Sequence, residues 1–157
     1  MRDYRVGAWG ALLRAAVGGV WLFEAYPQIS SSSAYLSQGF AAAVQAMAAG
    51  TPWQAYRQFL LSVVLTHASV FSYLTLVGNA LVGLCLLLGL LTPYAALAGI
   101  LLNVNYALAA GWMDRMNYPL NGLLIATEMV IIAVGAGHVA GIDALFTASR
   151  PRSARRY

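Results

Sequence analysis

The sequence predicts an all-α membrane protein: a four-transmembrane-helix bundle with an amphipathic helical insertion between spans one and two. Three observations carry this. Of 157 residues, 61% are hydrophobic and only 9% are charged. A soluble domain carries about 25% charged residues, so this chain is too poor in charge to cover a water-facing surface. Four apolar stretches, 6–26, 72–91, 94–112 and 119–138, each approach the length of about 20 residues that crosses a bilayer as a helix. The stretches are separated by polar or proline-bearing breaks, and no soluble domain or long linker is left over, so 1–157 reads as a single membrane domain.

The first stretch follows Arg2 and Arg5, as a signal peptide would, but Arg14 interrupts it and no Ala-x-Ala site follows, so it is expected to be a retained helix. The insertion, 30–71, begins with four serines. It then places Leu36, Phe40, Val44 and Met47 at helical spacing, with Ser37, Gln38 and Gln45 off the stripe, which predicts a helix lying along the outer membrane surface. Thr51 and Pro52 fit the cap and first turn of a further helix. Residues 56–71 fit either a re-entrant piece or an early extension of span two. The short "LLTPYA" turn makes spans two and three a tight antiparallel hairpin, with Pro93 opening the second helix. Trp9, Trp21, Trp53 and Trp112 suit membrane-interface positions.

Charge sets the expected orientation. All nine basic residues are arginines. Arg2, Arg5 and the four arginines of the tail, 143–157, flank the termini, whereas the loops between spans one and two and between three and four carry only Arg57 and Arg115. The positive-inside rule then puts both termini in the cytoplasm. Beside a span, the arginine-rich tail reads as a topology signal and an anionic-lipid contact rather than a nucleic-acid site.

Ionisable and amide side chains in hydrocarbon are costly and mark candidate sites. Arg14 and Glu128 lie on antiparallel spans. Two readings stand: they pair, or Arg14 snorkels to the inner surface while Glu128 is protonated or faces a polar cavity. Glu24, near the outer end of span one, can reach water or serve a proton or quinone role. Asn103 and Asn105, two positions apart, must point to different faces, with at least one turned to another span. His67 and His138 are candidate haem or pigment ligands, but they lie near opposite membrane faces, which argues against a bis-histidine haem. Cys85 is the single cysteine and no Cys/His cluster exists, so no metal site, covalent haem or thiol redox pair is expected. Small residues recur every four positions at Ala11, Ala15 and Gly19 and at Gly122 and Ala126, spacing that suits close helix approach.

The stretch "LVGNALVGLCLLLGLLTPYAALAGILLNVNYALA" resembles the central region of the DoxX/DoxD-like membrane proteins, whose second span typically reads "vGE-hhhG-hLhhGLhT" (h apolar). "MNYPLNGLLIATEMVIIAVGAGHVAGIDALF" is similar to their fourth span and its "aGr-hGhD" ending, here Gly137, His138, Gly141 and Asp143. "LLRAAVGGVWLFEAYPQI" is similar to their first span, with Arg14 at the usual arginine. Asn79 falls where the family usually has Glu, and Gln28 where the first span usually ends in Lys. Both exchanges keep polarity and remove charge, leaving two neutral amides able to hydrogen-bond inside the bundle.

The resemblance implies a bacterial cytoplasmic membrane setting and association with quinone-linked redox complexes of the terminal quinol oxidase or thiosulfate:quinone oxidoreductase kind. The leading expectation is a non-catalytic accessory subunit of a larger membrane redox or photosynthetic electron-transfer complex, with other membrane subunits and lipids as partners and no cofactor of its own. The alternatives are a catalytic quinone-linked subunit using Arg14, Glu24 or Glu128, and a small transporter or lipid-binding protein with Glu128 in its cavity.

Overall fold

The computed structural model describes the backbone of residues 2–138 and 141–144, and side chains from residue 7 onward except that of His138. Every regular element among these residues is helical. α1 spans Arg2–Ser30; α2, Ser32–Ala34; α3, Phe40–Gly50; α4, Gln54–Phe59; α5, Ala68–Leu88; α6, Thr92–Ala110; and α7, Asn117–Ala133. Wide π-type turns at Tyr35–Gly39 and Leu60–Val64 extend α2 into α3 and lengthen α4.

The long helices pair off. α1 lies on α5, and α6 on α7, with α5 against α6 through their hairpin. Glycine lets the first pair approach backbone to backbone. A Cβ built at Gly18 would stand 2.6 Å from the Leu87 nitrogen, and one at Gly83 would stand 3.0 Å from the Leu22 nitrogen. The predicted small-residue stripes do not do this work: a Cβ at Gly19 or at Gly122 would meet nothing within 4 Å. Helical repeats at every fourth position give spacing but not rotation, and here Gly19, Gly122 and Ala126 turn outward while Ala11 is buried.

The hairpin closes as a Schellman turn, the Leu90 N–H reaching the Cys85 carbonyl at 2.9 Å and Gly89 taking the left-handed conformation at φ 66°. Pro93 then sits in the first turn of α6, where its missing N–H costs nothing. α5 and α6 are both long and apolar enough to cross a membrane. α1 has 29 residues and carries Arg14 and Glu24; α7 has 17.

Polarity is distributed inside out. Leu74, Leu81, Leu97, Leu101 and Leu123 are exposed, while Ser72, Asn79, Thr92, Asn103 and Glu128 are buried. A water-soluble fold does the reverse, because apolar surface in water is unfavourable and buried polar groups need partners. The arrangement suits a lipid surround.

Two apolar clusters hold the chain. Val17, Trp21, Val82, Leu86 and Ile131 pack between the long helices. Phe40, Val44 and Ala48 of α3 pack on Leu60, Val64 and Ala109. The predicted stripe thus faces inward, tying the insertion to the bundle. The four serines barely interrupt the helix: only Ser31 leaves it, its hydroxyl donating to the Pro27 carbonyl at 2.6 Å. Residues 56–71 divide: 56–64 belong to α4 and its π-type turn, 65–67 form a turn, and 68–71 begin α5.

Thr51 does not cap a helix. Pro52 and an extended Trp53 (φ −88°, ψ 97°) carry the chain away first, and the Thr51 hydroxyl instead donates to the Leu108 carbonyl of α6 at 2.8 Å. That oxygen is one of the four at the helix end without a partner inside the helix. Trp112 adds a second tie, donating to the Met47 carbonyl at 3.1 Å. Trp9, Trp53 and Trp112 are exposed as interface residues would be, but Trp21 is buried in the core.

Candidate functional site

Arg14 and Glu128 do not pair, nor does Arg14 snorkel. At 2% exposure the Arg14 guanidinium is enclosed, donating from Nη1 to the Ala136 carbonyl at 2.9 Å. The charge acting on it is Asp143. Glu128 stands about two turns away along α1, beside Trp21. Its Oε1 accepts the Trp21 indole N–H at 2.8 Å and its Oε2 accepts the Asn103 amide at 3.1 Å. Gly99 makes room for it, since any Cβ there would run into the carboxylate. Both oxygens of a fully buried acid are thus met by neutral donors, which offsets the cost of removing it from water.

A second polar cluster lies toward the end of the bundle that carries the insertion. The Tyr106 hydroxyl donates to Asn79 Oδ1 at 3.0 Å and accepts from Asn79 Nδ2 at 2.9 Å, and the same nitrogen reaches Gln28 Oε1 at 3.3 Å. Asn79 and Gln28 therefore meet, as two amides standing where the family pattern has an acid and a base. Asn103 and Asn105 do diverge: Asn103 turns inward to Glu128, while Asn105 turns to the insertion and accepts a hydrogen bond from the Tyr56 hydroxyl.

These groups wall a cavity of about 510 Å³ between α1, α6 and α7. Trp21, Asn103 and Tyr106 form its inner wall, Glu24 and Gln28 its α1 side, and Asn117, Asn121 and Leu124 its α7 side. Val20 and Leu123, which also line it, are exposed on the flank of the bundle, so the cavity opens sideways between α1 and α7. Its size falls within the roughly 300–1,000 Å³ of small-molecule sites. Tyr106, Asn117 and Asn121 escaped the sequence reading, although Asn117 and Asn121 are one turn apart on α7. Their amide nitrogens donate to Ala110 and Asn117 carbonyls at 2.8 and 2.7 Å.

His67 does not contribute. It is exposed and its Nδ1 lies 3.0 Å from the Val63 carbonyl. The His138 side chain and most of the basic tail lie outside the described residues. Among the described residues no cluster of three potential metal ligands occurs.

At the opposite end, three separated sequence motifs form one clasp. The Asp143 carboxylate accepts the Leu91 and Thr92 backbone N–H groups at 2.8 and 2.9 Å, closing the N-terminus of α6. Its own N–H returns to the Gly89 carbonyl at 2.9 Å. Gly137 and Gly141 permit the approach, because a Cβ would stand 2.6 Å from Asp143 Oδ2 at the first and 2.5 Å from Arg14 Nη1 at the second. The arginine of α1, the glycine–threonine turn after α5 and the glycine–aspartate ending after α7 are thus parts of a single structure. The family model described as TQO small subunit DoxD matches residues 9–152. The chain belongs to the DoxD family. No curated protein and no solved structure matches it. The DoxD family is that of a membrane-protein small subunit of a larger complex; of the residues at its motif positions, Arg14, Gly89, Gly137, Gly141 and Asp143 form the clasp, and Gln28 and Asn79 line the cavity.

Proposed function

We propose that this DoxD-family chain is a non-catalytic small subunit of a quinone-linked membrane oxidoreductase, and that it holds the quinone headgroup for a partner subunit. The observation that carries the reading is the sideways-opening cavity, lined by amides at one end and by aliphatic side chains at the other. A quinone is a flat ring with two carbonyl acceptors that reaches its site through lipid. The donor set suits it. The Gln28 amide nitrogen, on the cavity wall, and the second N–H groups of Asn117 and Asn121 can meet carbonyl oxygens. Trp21 and Tyr106, with ring centres 6.5 Å apart, offer aromatic faces. When bound, a quinone supplies two-electron, two-proton acceptor chemistry. Of the acids, Glu24 stands at the rim, and Glu128 has both oxygens turned to Trp21 and Asn103, so the chain's own groups bind and orient rather than transfer.

In this reading α1, α5, α6 and α7 all cross a bacterial cytoplasmic membrane, with both termini inside. The helices are about 43, 32, 29 and 26 Å long, against a hydrocarbon core of about 30 Å. The cavity then lies in the outer half of the bilayer.

Photolabelling with an azidoquinone in nanodiscs tests the reading. Labelled peptides are expected from α1 and α7, displaced by excess unlabelled quinone, with Gln28→Leu weakening displacement about tenfold. Labelling that excess quinone does not displace removes the headgroup site. Reduction of quinone by the isolated chain with thiosulfate overturns the non-catalytic role and leaves the site standing.

A further inference from the structure

A second cavity, of about 240 Å³, lies under the insertion. It shares three wall residues with the first: Gln28, Met47 and Tyr106 line both. The rest of its wall is largely hydrocarbon and aromatic, with Phe40, Val44, Leu60, Val64 and Phe71 prominent. Several of its polar wall groups are already engaged. Asn105 accepts from Tyr56, and the Thr75 hydroxyl donates to the Phe71 carbonyl at 2.8 Å. Such a chamber binds water poorly and favours alkyl groups.

We propose that the two cavities are one site for a long-chain lipid-soluble molecule, with its polar ring in the outer pocket and the first part of its hydrocarbon chain passing Met47 and Tyr106 into the chamber beneath α3. The proposal rests on the headgroup reading above and adds the chain subsite. It gives the insertion a role: Phe40 and Val44 roof the chamber, and Thr51 and Trp112 hold that roof to α6. Met47 suits a shared wall, because its unbranched side chain adopts new rotamers readily.

The test uses two probes on the full chain in nanodiscs: a benzoquinone without a side chain, and the same ring bearing a decyl chain. Empty nanodiscs correct for partitioning into lipid. The decyl compound is expected to bind about tenfold more tightly. Ala43→Phe, which fills the chamber from α3, is expected to cancel that gain and leave the short probe unchanged. Val44→Ala, which enlarges it, is expected to keep the gain. Equal binding of both probes by the unaltered chain overturns the chain subsite alone. So does an equal loss for both probes in Ala43→Phe, with the decyl preference retained. Binding of neither probe removes the headgroup reading and the chain subsite together.

Discussion

Trp21 on α1 donates its indole N–H to Glu128 on α7 across 2.8 Å. The bond bridges the two helices that flank the mouth of the cavity. It also gives one oxygen of a fully buried acid a neutral partner, the other being met by Asn103. A donor and an acceptor are matched at each contact, and that matching can be tested by reversing it.

Glu128→Gln puts an NH₂ group where two donors already point, so one N–H is left without an acceptor. The expected loss is about 1–3 kcal/mol of stability. Adding Asn103→Asp restores the match: the new amide on α7 can accept from Trp21 and donate to the new carboxylate on α6. The double variant is expected to recover much of the loss, less whatever the relocated charge costs. Thermal unfolding of the detergent-solubilised protein measures both. A double variant less stable than Glu128→Gln alone contradicts the assignment of donors.

Gly18→Ala should prevent α1 and α5 from packing, since its methyl group would press on the Leu87 backbone. Gly19→Ala, one position along, meets open space and should be neutral or slightly stabilising through helix propensity, by under about 1 kcal/mol. Yield and monodispersity on size exclusion distinguish them, and equal behaviour of the two would show that the helix is rotated differently.

Asp143→Ala removes the side-chain acceptor for two N–H groups at the start of α6. The cap alone accounts for a loss of about 1–2 kcal/mol, and leaving the enclosed Arg14 without its opposing charge adds to it. Hydrogen exchange should rise at Leu91 and Thr92 before it rises elsewhere in α6. Unchanged protection there would mean that water replaces the cap without cost.

Thr51→Val keeps the shape and removes the bond to the Leu108 carbonyl. A cost of about 0.5–1.5 kcal/mol is expected. Limited proteolysis should cut faster between α3 and α4, with the long helices unaffected. Cleavage at the original rate would show that Trp112 and the apolar roof suffice to hold the insertion.

The all-helical architecture was legible because long apolar helices follow from composition and length. The two asparagines of α6 diverge as their spacing requires, and Asn79 meets Gln28 where the family pattern placed opposite charges. Most of the errors share one cause. Sequence places a residue at a depth along its helix but not at an angle around it. Arg14 and Glu128 are compatible by that measure, yet Trp21 and Asn103 occupy the acid and the chain following α7 occupies the arginine. Of the small-residue stripes, Ala11 is buried, but Gly19, Gly122 and Ala126 had the right spacing and the wrong direction. Thr51 misled for a different reason: its neighbours fit a helix start, and only the extended backbone at Trp53 frees its hydroxyl for another element.

The clasp around Asp143 fastens the α1–α5 pair to the α6–α7 pair at one extremity, and the cavity lies beyond the middle. Beyond it the pairs are joined again, by Trp21 with Glu128 and by Asn79 with Tyr106. Arg14 and Asp143 can therefore bear on the cavity only through the helices they join, whereas Gln28 and Asn79, also at family-pattern positions, stand on its wall.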